Sequence, residues 1–154
     1  MAFSSKPTNG DAGDDTSTSE IVATEVSGSH VLTIDGYCWT TRVGRNEYIT
    51  SSSFTAAGQR WSIRYYPNGF SKPNVEDTSD YISIFLSCDM EVYARCTLSL
   101  LDWDGKPTTH SCSVGRNKTY VRTAANNTRL GITKFIKRKA LEQLGHLRDD
   151  CFRI

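Results

Sequence analysis

Between Arg60 and Tyr66 the side chains alternate in character. Trp61, Ile63 and Tyr65 fall on one side; Arg60, Ser62, Arg64 and Tyr66 fall on the other. A period of two is the signature of a strand with one buried face. Pro67-Asn68-Gly69 then ends it as a turn. A half-buried strand cannot stand alone, so the rest of the chain must supply partners and a second layer. It carries the pattern to do so. Tyr81 to Ser87 places Ile82, Ile84 and Leu86 on one side and Tyr81 and Phe85 on the other. Both faces are bulky, which predicts a strand whose outer face is also covered or used. Further strands are expected at His30 to Ile34, Tyr48 to Phe54, Val92 to Leu101, Lys106 to Cys112, around Tyr120, and at Ile132 to Ile136. Asp102-Trp103-Asp104-Gly105 reads as a hairpin turn. Phe70 to Ser79, polar and containing Pro73, reads as a loop. Lys137 to Leu144 is the one convincing helical stretch, closed by Gly145, and Cys151 begins a last strand. About seven or eight short strands with one short helix near the C-terminus define an all-β, antiparallel β-sandwich.

At 154 residues the chain fits one domain plus a tail. Residues 1–20 are Ser, Thr, Asp and Gly with almost nothing to bury, so they are expected as a disordered tail, with the domain at 21–154. The formal net charge of +1, from 18 basic and 17 acidic residues, creates no strong field. Nucleic acid is therefore not an expected partner. No apolar run reaches the ~18 residues of a membrane helix, and the start lacks a signal-peptide core. A nuclear or cytoplasmic protein is expected, with no membrane partner. The cysteines Cys38, Cys88, Cys96, Cys112 and Cys151 are odd in number and widely spaced, which argues for free thiols rather than a metal site.

Trp61, Ile63, Ile82, Ile84, Leu98 and Leu100 are assigned to the core. Gly36 and Gly69 are assigned to turns. Arg138 and Lys139 are assigned to a solvated helix face. His110 and Cys112 share one face of a strand, but no third group orients them, so no catalytic residues are expected. The Asp102 turn begins like a calcium loop and lacks its later ligands, including the closing Glu. No metal or cofactor is expected, and the chain is not read as an enzyme.

Several blocks of the chain, in order, carry a resemblance. They are His30-Val31-Leu32-Thr33-Ile34-Asp35-Gly36-Tyr37, the Ser-rich Ile49 to Phe54, and Trp61-Ser62-Ile63-Arg64-Tyr65-Tyr66-Pro67-Asn68-Gly69. Asp80-Tyr81-Ile82-Ser83-Ile84-Phe85-Leu86, Phe135 to Glu142, and Asp149 to Ile154 follow. Together they resemble a MATH (meprin and TRAF homology) domain, closest to the MATH half of plant MATH-BTB proteins. The resemblance runs from about Ser29 to Ile154. Chains of this kind continue several strand residues past the position of Ile154, so a last strand that stops there is expected to leave backbone edge groups exposed and to lower stability.

The resemblance implies a shallow groove across one sheet that binds an extended, Ser/Thr-containing linear segment of a substrate protein. The matching positions are Phe85, Cys96, Tyr120, Thr128, Arg129, Leu130, Gly131, Ile132 and Thr133. The chain departs from the family where W-G-F is usual: it has Leu130-Gly131-Ile132, and Cys96 stands where Phe is usual. Losing two aromatic anchors costs about 1–3 kcal/mol if the peptide is unchanged. Arg129 in place of an acid favours an acidic or phosphorylated ligand; an exposed loop arginine is the alternative. In the family a BTB domain follows and binds a cullin, which makes the whole chain a substrate adaptor of a ubiquitin ligase. A cullin is expected as partner only if the parent chain carries that domain. A stand-alone scaffold or decoy, and the MATH portion of a deubiquitinating protease, are the alternatives.

Overall fold

The Trp61–Ile63–Tyr65 alternation builds β6 (Gln59–Tyr66), and all three side chains are buried. In the computed structural model, which describes residues 2–8, 17–114, 121–122 and 130–154, β6 lies inside one of two facing antiparallel sheets. On one side it pairs with β7 (Tyr81–Cys88), from Trp61↔Cys88 to Tyr66↔Ser83. β7 pairs in turn with β12 (Leu130–Lys137), through Leu130↔Leu86, Gly131↔Phe85 and Ile132↔Ile84. On its other side β6 takes β4 (Ile49–Thr50) and β5 (Phe54–Ala56). The order is β12-β7-β6-β4. The second sheet has the order β10-β9-β13-β3, made of β10 (Pro107–Val114), β9 (Cys96–Leu101), β13 (Cys151–Arg153) and β3 (Thr33–Asp35).

The inward residues of both sheets form one core. Ile63, Tyr65, Ile82 and Ile84 meet Leu98, Leu100 and Phe152, and Phe135 and Leu141 close one end. All six residues assigned to the core from sequence are buried. Each large apolar side chain removed from water contributes about 1.5–3 kcal/mol. The buried phenols find partners. Tyr65 Oη lies 3.0 Å from Thr40 Oγ1, and Tyr37 Oη donates to Glu142 Oε1 at 3.2 Å. Tyr37 belongs to α1 (Tyr37–Thr40), a single helical turn absent from the sequence expectation that starts after Gly36 at φ 74°.

Two expected strands divide. Tyr48 to Phe54 breaks into β4 and β5 because Ser51 Oγ accepts the Ile63 amide at 2.9 Å, a place a ladder carbonyl would otherwise take. Val92 to Leu101 breaks into β8 (Tyr93–Ala94), which pairs with β11 (Val121–Arg122), and β9, which pairs with β10. The Asp102 turn forms as expected. Gly105 N donates to Asp102 O, and the Asp102 carboxylate accepts the Lys106 amide. β1 (Ala2–Thr8) and β2 (Thr18–Thr24) pair with each other as a ribbon that, among the described residues, joins neither main sheet. The last strand, β13, pairs with β3 along Cys151↔Asp35, Phe152↔Ile34 and Arg153↔Thr33, but with β9 only at Arg153↔Leu101.

Arg138 corrects the sequence reading. It opens α2 (Arg138–Gln143), and its side chain is only 27% exposed. The guanidinium donates to Asn68 Oδ1 at 2.7 Å, to Ser79 O at 2.5 Å and to Pro67 O at 3.4 Å. The helix is so short that its first residue reaches the neighbouring loops rather than solvent. Lys139 is exposed, as expected.

Candidate functional site

Among the described residues β12 is the last strand of its sheet, so one row of its backbone groups faces away from β7. The strand is irregular, with a register shift between Ile132 and Ile136. At that irregularity the Phe135 carbonyl accepts from His110 Nε2 and faces Cys112 Sγ at 4.0 Å. The His110–Cys112 pair, adjacent on β10, therefore serves a backbone carbonyl. The Gly131 end of the strand has a different character. A Cβ built on Gly131 would lie 2.6 Å from Phe85 Cα, 2.7 Å from Phe85 Cδ1, and closer still to the Ile84 carbonyl oxygen. Only glycine lets the two strands approach this closely, and the Phe85 ring covers the bare backbone.

Phe85 points to the outer face of its sheet. It meets Tyr66 and Phe70 in edge contacts, with ring centroids 5.1–5.5 Å apart for the three pairs. Tyr48 tilts against Tyr66, and the Arg64 guanidinium lies 5.1 Å from the Tyr48 ring. Burial pushes the Tyr66 phenol up, and Arg64 pulls it partly back. Ser83, fully buried beside this cluster, donates to Thr133 O and accepts the Phe70 amide at 2.9 Å. That hydroxyl ties the 67–80 loop to the edge strand. Lys134 and Lys137 lie 5.4 and 5.6 Å from the Tyr81 ring, and Lys134 pairs with Glu76. The outer face is an aromatic floor with cations around it.

The predicted site residues divide between two faces. Phe85 and Gly131 are register partners on the outer face, and Thr133 is exposed further along β12. Leu130 and Ile132 point inward between the sheets. Cys96 also points inward, from β9, and burial pushes its thiol up to about 11. It behaves there as a small apolar group. Tyr120, Thr128 and Arg129 lie outside the described residues. Sequence reasoning missed Arg64, Tyr66, Phe70 and Ser83. For the two β6 residues a signal existed, because both sit at outward positions of the β6 alternation. Phe70 and Ser83 gave none; one read as loop and the other as a small strand residue.

Two facing antiparallel sheets around one core, with a glycine-notched strand at the end of one of them, define the class: an antiparallel β-sandwich domain. The MATH domain family matches residues 29–154, and the chain belongs to that family. It is 35% identical over 153 residues to BTB/POZ and MATH domain-containing protein 4 of Arabidopsis thaliana, covering 90% of this chain and 30% of that protein. It is 33% identical over 143 residues to protein 6 of the same series, covering 88% of this chain and 34% of the relative. For protein 5 the identity is 31% over 147 residues, covering 86% and 33%. The chain thus spans about a third of the length of these curated relatives.

Proposed function

We propose that this domain is a protein-interaction module, not an enzyme, that captures an extended Ser/Thr-containing segment of a substrate protein along β12. The β12 edge at Gly131, which no described strand covers and which the Phe85 cluster flanks, carries this reading. A peptide added as a strand there gains backbone hydrogen bonds from the edge. Its side chains alternate, one set toward Phe85 and the cations, the other toward Leu130 and Ile132. Leu130 and Ile132 in place of aromatics make the inward side less demanding, so the selectivity falls on the outer face. Arg129 and Thr128, with Tyr120, complete the proposed contact set from outside the described residues.

The test is amide chemical-shift mapping with Ser/Thr-containing extended peptides on the 154-residue protein. Shifts concentrated at Leu130 to Thr133 and Phe85 are expected. Phe85→Leu is expected to weaken binding about tenfold while the protein still melts cooperatively. Shifts that avoid β12 would sink the placement. The relatives' names join MATH to BTB/POZ. On that basis the domain acts as the substrate-reading part of a cullin-based ubiquitin ligase adaptor wherever its parent polypeptide carries a BTB domain, in the nucleus or the cytoplasm. Cullin co-purification with the parent chain, lost when the BTB segment is deleted, checks this. A fluorescent fusion checks the compartment.

A further inference from the structure

Tyr81 opens β7 on the outer face of its sheet, and two ammonium groups converge on its ring. Lys137 is its register partner, and Lys134 reaches the same ring from the irregular stretch of β12. Their Nζ atoms lie 5.6 and 5.4 Å from the ring centre. Two like charges over one ring repel, and an anion shared between them relieves that. Part of the relief is already in place. Glu76, from the 67–80 loop, sets its carboxylate on Lys134. Asp80, next to Tyr81 in the chain, leans the other way and lies 4.0 Å from the Arg138 guanidinium. Lys137 is exposed and, among the described residues, meets no carboxylate. Lys134, Lys137 and Arg138 therefore face two acids, which leaves one positive charge in excess. Glu76 shows what chemistry the place accepts. Its side chain is 72% exposed, so its ion pair is of the surface kind, which contributes little and gives way to a stronger anion.

We infer that Lys134 and Lys137, over the Tyr81 ring, form an anion subsite for the substrate segment, which carries a phosphate or carboxylate group to meet them. This subsite rests on the β12 reading above and adds the class of segment that β12 selects. Register sets the spacing. Gly131 lies opposite Phe85 and Lys137 opposite Tyr81, four residues apart along β7, which is about 13 Å at strand rise. A segment with one outward side chain on Phe85 thus brings its anion to the lysines about four residues away. Four is an even step, so both side chains fall on the outer face. The anion lies toward the N-terminus of a segment antiparallel to β12, and toward the C-terminus of a parallel one. β12 leaves regular pairing between Ile132 and Ile136, so the backbone ladder of the segment ends near Thr133 and the anion anchors it beyond that point. A phosphate suits the place better than a carboxylate. It carries nearly two charges at neutral pH and three acceptor oxygens, enough for both ammonium groups. Glu76 occupies Lys134 until such a segment arrives, and competes with it.

The experiment titrates capped nonapeptides of Ser and Thr with one central valine, the residue for Phe85, into the 154-residue protein and follows amide shifts. The neutral peptide is compared with versions that carry phosphoserine or glutamate at the first, fourth or ninth position. At low salt, phosphoserine at one of the two ends is expected to tighten binding about tenfold and glutamate there about threefold, with shifts at Lys134, Lys137 and Tyr81. The gain should shrink as salt is raised. A larger phosphoserine gain assigns a phosphorylated segment, and equal gains assign an acidic one. The fourth position, an odd step from the valine, is expected to give none. In Lys137→Gln, which should still melt cooperatively, the ratio of anionic to neutral affinity is expected to fall close to one. In Glu76→Gln, which removes the resident competitor, the ratio is expected to rise. No gain at either end, an equal gain at the fourth position, an unchanged ratio in Lys137→Gln or a lower one in Glu76→Gln would overturn the inference. Shifts at Leu130 to Thr133 with the neutral peptide and no anionic gain would overturn the subsite and leave the β12 reading standing. No shift there with any peptide would remove that reading, and the subsite with it.

Discussion

Replacing Gly131 by alanine separates two opposed effects. In the unfolded chain alanine has fewer accessible states than glycine, which stabilises the native state by about 0.4–1 kcal/mol wherever the new Cβ fits. Gly131 is not in the left-handed region, so backbone conformation alone would permit the change. Space does not. The Cβ would meet Phe85 Cα at 2.6 Å and the Ile84 carbonyl oxygen more closely still, both backbone atoms of the hydrogen-bonded neighbour. A side chain can rotate away; a central strand cannot move without disturbing β6 on its far side. Overpacking of this kind costs typically 1–3 kcal/mol, and the rigid partners place it at the upper end. The net expectation is a loss of about 2 kcal/mol. In urea, with a slope of about 1–3 kcal/mol/M, the midpoint falls by roughly 1 M. The melting temperature falls by about 4–8 °C. Removing the ring as well, in the Phe85→Ala background, relieves only the contact with Cδ1, so Gly131→Ala remains destabilising there. An unchanged or raised midpoint in the wild-type background would refute the reasoning, because it would mean that β7 and β12 separate at little cost.

Three further outcomes follow from the same geometry. Arg138→Ala removes a guanidinium that serves three acceptors and should cost about 2–3 kcal/mol, with Arg138→Lys recovering less than half; urea midpoints decide it, and a loss under 0.5 kcal/mol, roughly the surface norm, would contradict the buried role. Burial raises the Tyr65 phenol from 10.0 to about 12, so its share of stability, about 3 kcal/mol, is complete below pH 10 and is lost as pH climbs from 10 toward 12. Tyr65→Phe should flatten that alkaline decline in urea titrations, and an identical slope would contradict it. Under iodoacetamide at pH 8, mass spectrometry should find Cys38 alkylated first, since it is exposed, although its bond to Asp150 raises its pKa; Cys88 and Cys96 should react only on unfolding.

The layer architecture was legible because it rests on side-chain alternation, and alternation survives in β6, β7 and β9 whatever their partners do. Trp61, Ile63, Ile82, Ile84, Leu98 and Leu100 could be placed in the core from period alone. Strand ends were less legible, because they depend on single hydrogen bonds between distant residues. Ser51 interrupts β4 and β5 through the Ile63 amide, twelve positions away, and nothing local to Tyr48–Phe54 announces that. Arg138 was misread for a related reason. Helical position says which way a side chain points, but not whether two loops from positions 67–68 and 79 will be waiting there. The site was partly legible. Resemblance supplied Phe85 and Gly131 separately, and only the register shows that they are opposite each other and that one ring covers the other's bare backbone. Tyr66 and Phe70 join Phe85 through a loop whose path no periodicity encodes.

Arg138 also has a consequence for the fourteen residues from Pro67 to Asp80. The guanidinium holds Pro67 and Asn68 at one end and Ser79 at the other, and the Arg138 amide donates to Asp80 O at 2.9 Å. Both ends of the excursion are thus moored to the same helical turn, independently of the chain between them. A single proteolytic cut near the exposed Val75 would sever the polypeptide without releasing either stump. The fragments would stay together as a noncovalent pair, co-eluting under native conditions and parting only in denaturant. The stretch can therefore change in length or sequence among related chains while the two strands it joins, β6 and β7, keep their register.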